Sequence, residues 1–319
     1  MIGENASSSL GLSFLAVAGG LVMLITGGEL LVSGATGLAR RLGMSSLVIG
    51  LTVVAFGTSV PELFVSLTAS LQGHPEIMIG NVVGSNIANI GLILGICGLI
   101  SPLRLELKEV GVELLLVICG SIVLILFTMT GVFSRLPGLL FVCTLVSYTV
   151  FTYRNSNRQN GTGPAGEKGG QRTSAWIASF QVMTGLVLLG SGSNLFIDGA
   201  TDMAHHFGVS ELVIGLTLAA VGTSLPELAS SLAALRRGET DLLLGNVIGS
   251  NMFNLFMVLG LTGLIRPFAL SPQLLSRDLG VMLAFSLALF PLLRRYGGTS
   301  RLHGFLFLAG YCVYCASLV

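Results

Sequence analysis

Two glutamates with matching neighbours are the residues of this sequence whose types and spacing point most directly to chemistry. Glu62 ends the string GTSVPE and Glu227 ends the string GTSLPE, each inside an apolar stretch. A proline inside a helix removes one N–H and clashes with the carbonyl group four residues earlier, here that of Gly57 or Gly222. Carboxylates, hydroxyls and released carbonyls are hard oxygen donors, which suit Na⁺ or Ca²⁺ rather than a soft metal. The two strings therefore predict a cation site.

A second pair of matching strings, GNVVGSNIAN and GNVIGSNMFN, adds neutral oxygen donors. Ser85 and Asn89 are four residues apart, as are Ser250 and Asn254, so each pair shares one face of a helix. The alternative is that the glycines and small polar residues of these strings serve helix packing alone. Packing does not account for two glutamates deep in apolar stretches, each beside a helix-breaking proline. The cation site is therefore the favoured interpretation.

The composition places these motifs in a membrane. Of the 319 residues, 52% are hydrophobic and only 10% are charged, against about 25% charged residues in an ordinary soluble domain. The mean hydropathy is +0.87. A soluble surface of this size would need far more charge, so most classes of water-soluble enzyme are excluded. The net charge of +1 offers no basic surface for nucleic acid, and no nucleic-acid partner is expected.

The hydrophobic pattern predicts an all-α integral membrane protein with ten transmembrane helices. A span needs about 17–20 apolar residues. The candidate spans are residues 11–33, 45–71, 77–100, 108–129, 135–153, 175–198, 210–235, 242–265, 278–295 and 301–319. The Gly-, Asn- and Ser-rich stretch 154–174 is predicted to be a flexible linker between two halves, 1–153 and 175–319.

The basic residues predict the orientation. With ten spans, loops on one side of the membrane hold 13 of the 16 Lys and Arg residues, and loops on the other side hold 3. The side rich in basic residues is expected to be cytoplasmic. The linker 154–174 is then cytoplasmic, both termini are extracytoplasmic, and the protein is expected in the plasma or inner membrane of the cell.

The two halves resemble each other at a constant offset of 165 residues. SSLVIGLTVVAFGTSVPEL, from Ser45, matches SELVIGLTLAAVGTSLPEL, from Ser210, and the strings around Gly80 and Gly245 match in the same way. The motifs of the two copies lie in 45–100 and 210–265. Each half has five predicted spans, an odd number, so the copies must enter the membrane from opposite sides. That inverted-topology repeat is typical of secondary transporters.

The paired strings resemble the two α-repeats of the cation/calcium antiporter superfamily, most closely a prokaryotic sodium/calcium exchanger, over nearly the whole chain. The resemblance implies a set of ion ligands in both copies. The side-chain ligands are Thr58, Ser59, Glu62, Ser85 and Asn89 in the first copy and Thr223, Ser224, Glu227, Ser250 and Asn254 in the second. The implied backbone-carbonyl ligands are Ala55 and Ala220.

The chain departs from the family pattern at Asn254, where sodium/calcium exchangers often carry an aspartate. The site therefore has two carboxylates rather than three, and protons or potassium ions could replace part of the sodium. The linker is also too short to hold a calcium-binding regulatory domain such as large eukaryotic relatives have.

The resemblance implies a secondary active antiporter that exchanges Ca²⁺ for Na⁺ by alternating access at a midplane site. Its partners are small inorganic cations and the lipid bilayer, with no cofactor and with one chain as the functional unit. The alternatives within this class are a Ca²⁺/H⁺ antiporter and a K⁺-dependent Na⁺/Ca²⁺ antiporter. A cation channel would use similar oxygen donors but would need a continuous pore. An intramembrane enzyme would need basic ligands within the membrane, and every Lys and Arg is assigned to a loop or a helix end.

Overall fold

The computed structural model describes residues 2–104, 106–159, 174–207, 222–270 and 277–318. In the first half the helices are α1 (Ile2–Leu42), α2 (Ser46–Ile49), α3 (Ala55–Thr58), α4 (Val60–Gln72), α5 (Pro75–Ala88), α6 (Gly95–Ile100), α7 (Leu107–Thr130) and α8 (Arg135–Gln159). In the second half the described helices are α9 (Ala175–His206), α10 (Leu225–Arg236), α11 (Thr240–Phe253), α12 (Gly260–Ile265), α13 (Asp278–Tyr296) and α14 (Arg301–Ala316).

Short π-helical segments and strands complete these elements. The π-helical segments are π1 (Gly50–Val54), π2 (Asn89–Leu94) and π3 (Asn254–Leu259), and the two-residue strands are β1 (Leu103–Arg104), β2 (Val132–Phe133), β3 (Phe268–Ala269) and β4 (Gly298–Thr299). Strand β1 pairs antiparallel with β4, and β2 pairs antiparallel with β3. Each two-stranded ribbon therefore joins a connection of the first half to a connection of the second half.

Within the described residues, seven helices are long and apolar enough to cross a membrane, or eight if the bent pair α2–α4 forms one span. The prediction of a helical protein with many membrane spans is thereby confirmed. The count of ten stays a prediction, because α14 has 16 residues and part of the predicted span 210–235 lies outside the described residues. The inverted arrangement of the two halves also stays a prediction.

Several predicted boundaries were wrong because apolar residues mark only the lipid-embedded part of a helix. Helix α1 continues to Leu42, beyond the predicted end at residue 33, and α9 continues to His206 instead of ending at residue 198. Basic residues end both helices, Arg40 and Arg41 in α1, where they complement the partial negative charge of a helix C-terminus. Helix α8 continues to Gln159, into the predicted linker, and residues 160–173 of that linker lie outside the described residues.

Two continuous rods form the centre of the molecule. One consists of α5, π2 and α6 (75–100) and the other of α11, π3 and α12 (240–265), with corresponding boundaries 165 residues apart. In the most apolar 18-residue stretch of the second rod every residue is buried, and in that of the first rod 72% of the residues are buried. By contrast, α9 exposes large apolar side chains such as Trp176 at 86% and Phe180 at 71%. The rods therefore form the interior, while helices such as α9 present apolar side chains suited to lipid.

Helices α1 and α9 pack closely along each other at glycines spaced by seven residues. A Cβ atom at Gly27 would lie 3.0 Å from Gly185 O, and one at Gly192 would lie 3.0 Å from Gly20 O. A Cβ atom at Gly34 would lie 2.6 Å from Ala178 O. The missing side chains let the two backbones approach, as small residues do between membrane helices.

Candidate functional site

The helix that carries Glu62 is broken just before it. Helix α3 ends at Thr58 and α4 begins at Val60, with a bend of about 40° at Ser59. Pro61 lies in the first turn of α4, where its missing N–H would have no helical partner in any case. The same break occurs in the second half, where Ser224 precedes α10 and has nearly the same backbone angles as Ser59. Both prolines therefore define the start of a new helix.

The breaks place both glutamates in the first turn of a helix, completely buried. Glu62 and Glu227 are 0% exposed, and among the described residues none of their four carboxylate oxygens has a hydrogen-bond partner. The two carboxyl groups lie close enough for their charges to interact. The N-terminus of a helix favours a nearby negative charge by only about 0.3–1 kcal/mol, whereas burying an unpaired charge costs far more. A bound cation would neutralise this pair.

Hydroxyl groups of the first break contact the second half of the chain. Thr58 Oγ1 donates to Asn246 Oδ1 at 3.2 Å and lies 3.4 Å from Ser250 Oγ. Thr58 and Ser59 also lie beside the Glu227 carboxyl group. The break of the first half thus meets helix α11 and the glutamate of the second half.

The second break makes the corresponding contacts with the first half. Thr223 Oγ1 donates to Asn81 Oδ1 at 3.0 Å and lies 3.5 Å from Ser85 Oγ. Residues 58, 246 and 250 correspond to 223, 81 and 85 at the 165-residue offset, so the two sets are the same contacts with the halves exchanged. Each break is therefore held by the helix of the opposite half that carries the GNV string, which is α11 for the first break and α5 for the second.

Two asparagines open the π-helical segments next to this site. Asn89 is the first residue of π2, and Asn254 is the first residue of π3. Asn89 Nδ2 donates to Asn251 Oδ1 at 3.0 Å, and its own Oδ1 has no partner among the described residues. Neither polar atom of Asn254, which is 0% exposed, has one. Single turns of π-helix are frequent at functional sites, and here they present buried amide oxygens.

The structure brings several members of the implied ligand set together: Thr58 lies by Ser250, Thr223 by Ser85, and Glu227 by Glu62, Thr58 and Ser59. Buried members are Ala55, Thr58, Ser59, Glu62, Ser85, Asn89, Ser224, Glu227, Ser250 and Asn254. Thr223 is partly exposed. The hydroxyl groups of Ser59 and Ser224 have no partner among the described residues. Ala220, the second implied carbonyl ligand, lies outside the described residues.

One released carbonyl group does not behave as the sequence predicts. Pro226 removes the helical partner of Gly222 O, but Ser193 of α9 donates its hydroxyl to that oxygen at 2.6 Å. The hydroxyl of Ser193 therefore takes the place of the helical N–H partner, and one of the two lone pairs of Gly222 O is occupied. The residue that corresponds to Ser193 in the first half is Gly28, which has no hydroxyl group.

Sequence reasoning missed two site residues, Asn81 and Asn246. Each is the asparagine that follows the first glycine of its GNV string. The available signal was spacing, because Asn81 precedes Ser85 by four residues just as Ser85 precedes Asn89, so all three share one helix face. Asn246, Ser250 and Asn254 have the same four-residue spacing in the second half.

Comparison with known proteins gives one family. The family described as "Sodium/calcium exchanger protein" matches residues 12–154 and 177–319. The chain is 40% identical over 288 residues to "Putative antiporter CaxA" of Alkalimonas amylolytica, covering 89% of this chain and 90% of the relative. It is 34% identical over 314 residues to "Sodium/calcium exchanger MaX1" of Methanosarcina acetivorans, covering 87% and 90%. Both halves and nearly the full length of these relatives are matched.

Solved structures give the same result. The sodium-calcium exchanger NCX_Mj soaked with 10 mM Na⁺ and 10 mM Sr²⁺ superposes with a TM-score of 0.84 at 34% identity, covering 97% of this chain and 99% of that chain. The form soaked with 2.5 mM Na⁺ and 0.1 mM Ca²⁺ gives a TM-score of 0.83 with the same coverage. The likeness therefore covers the whole fold.

Proposed function

Because the chain belongs to the sodium/calcium exchanger protein family, we propose that it exchanges Ca²⁺ for Na⁺ across the membrane by alternating access. The observation that carries the proposal is the pair Glu62 and Glu227, both fully buried and without hydrogen-bond partners among the described residues. Such a pair is costly unless a cation neutralises it.

The charge of the pair sets what the site can hold. Two ionised glutamates carry a formal charge of −2, which one Ca²⁺ neutralises, as do two Na⁺ or two protons. Any additional Na⁺ would make the exchange electrogenic. An empty site leaves two close carboxylates unpaired in a region of low dielectric constant, so the conformational change is favourable only with the site occupied. This energetic penalty couples the movement of one ion to the movement of the other and prevents leak.

The neutral donors complete the proposed coordination. The proposed ligands are the side chains of Thr58, Ser59, Glu62, Ser85, Asn89, Thr223, Ser224, Glu227, Ser250 and Asn254 and the carbonyl groups of Ala55 and Ala220. Calcium takes six to eight oxygen ligands in flexible geometry. The described hydroxyl and amide oxygens around the two glutamates provide donors of that kind, and they come from both halves of the chain.

The packing of the two long helices supports alternating access. Helix α1 packs along α10 in the second half, whereas α9 has no comparable packing against α4 in the first half. In an inverted repeat the two access states arise when the halves exchange their conformations. In the proposed cycle α1 and α9 slide together past the central rods, and α9 comes to lie on α4 as α1 now lies on α10.

The proposal also covers the setting of the protein. We place it in the plasma or inner membrane as a functional monomer, with both termini extracytoplasmic and the 154–174 segment cytoplasmic. The basic residues support this orientation by the positive-inside rule.

Flux in reconstituted vesicles tests the function. Glu62→Gln and Glu227→Gln are expected to abolish Na⁺-gradient-driven ⁴⁵Ca²⁺ uptake, because each change removes half of the site's negative charge. Glu113→Gln is the matched control, since Glu113 is a buried glutamate outside the site whose Oε1 accepts a hydrogen bond from Tyr148 at 2.6 Å. Full uptake in either site variant would overturn the ligand assignment.

The same vesicles separate the alternatives. Na⁺, H⁺ and K⁺ gradients are imposed one at a time, and the proposal expects the Na⁺ gradient to drive uptake. Uptake driven only by a proton gradient would identify a Ca²⁺/H⁺ antiporter, and a requirement for K⁺ would identify a K⁺-dependent exchanger. Single-channel currents in a planar bilayer would identify a channel instead.

A further inference from the structure

Asn246 connects the two halves of the chain beside the cation site. Its Nδ2 lies 3.1 Å from Ser230 Oγ, 3.2 Å from Ser231 Oγ and 3.5 Å from Glu227 O, all in α10, and these three acceptors share its two protons. A backbone carbonyl oxygen can only accept a hydrogen bond, so the NH₂ group of the amide must face α10. Its Oδ1 is thereby turned toward Thr58, whose Oγ1 donates to it.

Asn81 is fixed in the same way in the opposite direction. Its Nδ2 donates to Ser66 Oγ at 2.9 Å and to Glu62 O at 3.3 Å, both in α4. The amide therefore directs its Oδ1 at Thr223, whose Oγ1 donates to it at 3.0 Å. Each asparagine thus holds the helix of one glutamate with its donor group and a threonine of the other half with its acceptor.

We infer that Asn81 and Asn246 are positioning residues that fix the hydroxyl rotors of Thr223 and Thr58. The inference rests on the proposed function. A threonine hydroxyl has one proton and two lone pairs. When the hydroxyl donates its proton to an amide oxygen that does not itself bind the ion, the lone pairs of Oγ1 are free to bind a cation. A threonine whose proton pointed at the cation would repel it.

A competing acceptor shows why the rotor needs fixing. Thr58 Oγ1 also lies 3.4 Å from Ala55 O, which is a proposed ligand, and Ala55 O already accepts Ser59 N at 3.0 Å. Without Asn246 the Thr58 proton would turn to Ala55 O or to the Glu227 carboxyl group beside it, and would occupy a lone pair of a proposed ligand in either case. Losing Asn246 therefore weakens two proposed cation ligands, Thr58 Oγ1 and either Ala55 O or Glu227, although Asn246 is not itself a proposed ligand.

A double-mutant cycle on calcium binding tests the inference. Purified protein in detergent without Na⁺ is titrated with ⁴⁵Ca²⁺, using wild type, Asn246→Leu, Thr58→Val and the double variant. Asn246→Leu is expected to raise the Kd about 10- to 100-fold, as loss of a residue that orients a metal ligand does. In the Thr58→Val background the same change is expected to have little further effect, because the hydroxyl that it positions is absent.

Asn86→Leu is the matched control. Asn86 is a buried asparagine of the same string, but its Nδ2 donates to Val82 O within its own helix. Asn86→Leu is expected to show no energetic coupling to Thr58→Val, whatever it does to stability. A purely structural role for Asn246 would give the same fold-change in both Thr58 backgrounds, and that result would overturn the inference.

A second cycle keeps the test readable if Asn246→Leu does not fold. Asn81→Leu and Thr223→Val repeat the design at a partly exposed amide, with the same expected loss of additivity. If the variants of either cycle fold and their effects on the Kd are additive, the inference is wrong. The proposed function is unaffected by that result as long as the wild-type protein binds Ca²⁺. If wild-type protein binds no Ca²⁺ and performs no exchange, the proposed function is wrong and this inference falls with it.

Discussion

The Glu29 carboxylate of α1 accepts a hydrogen bond from Arg237 Nε at 2.7 Å, and its other oxygen lies 2.5 Å from Arg236 Nη2. These ion pairs tie α1 to the end of α10. The corresponding residues of the other half are Asn194 for Glu29 and Leu71 and Gln72 for the two arginines. The tie therefore has no charged counterpart between α9 and α4. In the proposed cycle it favours the arrangement in which α1 lies on α10 over the arrangement in which α9 lies on α4.

Removal of this tie is expected to shift the balance between the two access states. The Glu29 side chain is 22% exposed, and those of Arg236 and Arg237 are 70% and 38% exposed. Because solvent screens such pairs, Glu29→Gln should cost on the order of 0.5–1 kcal/mol, a shift of about two- to fivefold in population. Distances between spin labels on α1 and α10, measured by pulsed electron paramagnetic resonance, report the change.

The reverse change supplies the control. Asn194→Glu combined with Gln72→Arg places a charged pair at the corresponding positions of α9 and α4. Because α9 has no comparable packing against α4 in this arrangement, the new pair is expected to favour the opposite access state. An unchanged distance distribution in both variants would contradict a role of the tie in the cycle.

The glycine contacts between α1 and α9 are expected to tolerate no side chain. A Cβ atom at Gly185 would lie 2.6 Å from Leu31 N and 2.8 Å from Gly27 O. Gly185→Leu should therefore separate the helices, lower the melting temperature in detergent and abolish ⁴⁵Ca²⁺ uptake, since overpacking costs about 1–3 kcal/mol or more. Gly190→Leu on the same helix is the matched control, because nothing lies within 4 Å of its Cβ position. Equal loss in both variants would show that bulk alone, and not this contact, matters.

The buried glutamate pair could be predicted from the sequence because the cost of placing a carboxylate in an apolar stretch depends on its immediate neighbours. A carboxylate deep in an apolar stretch beside a proline is costly wherever the chain folds, so Glu62 and Glu227 could be found from their neighbours alone. Their duplication at a fixed offset also predicted that the two sets of donors correspond, and the exchanged contacts of Thr58 and Thr223 have that relationship.

Other features escaped because they depend on contacts between distant residues. The residues around Glu29 in the sequence do not indicate that Arg237 is its partner, because 208 positions separate the two. The bond from Ser193 to Gly222 O likewise depends on where α9 crosses the broken helix. Helix ends were misplaced because hydropathy reports the lipid-embedded length, whereas backbone hydrogen bonding carries α1 beyond it.

Tyr148 is expected to stabilise the fold through a buried carboxyl group. Its hydroxyl donates to Glu113 Oε1 at 2.6 Å between α8 and α7, and both side chains are buried. Tyr148→Phe leaves that acceptor without its partner, which should cost about 1–3 kcal/mol and lower the melting temperature. Tyr296→Phe is the control, because Tyr296 is 62% exposed. Equal melting temperatures for the two variants would show that the Glu113 contact is not stabilising.

Asn254 is expected to set the charge balance of the exchange. It is a fully buried neutral amide at the start of π3, so the proposed site carries the charge of two glutamates only. One Ca²⁺ against two Na⁺ is then electroneutral, and ⁴⁵Ca²⁺ uptake should not respond to a membrane potential imposed with K⁺ and valinomycin. Asn254→Asp adds a third carboxylate of the same shape and should recruit a further cation, which makes uptake depend on the potential.

The corresponding position in the other half provides the comparison for Asn254. Asn89 opens π2 as Asn254 opens π3, but its Nδ2 donates to Asn251 Oδ1. Asn89→Asp loses that donor and places two acceptor oxygens against each other, so it should reduce stability as well as change the charge. Asn254→Asp breaks no hydrogen bond among the described residues and should leave the melting temperature near that of wild type. Potential-dependent uptake already in wild type would mean that a third positive charge enters the site without a third carboxylate.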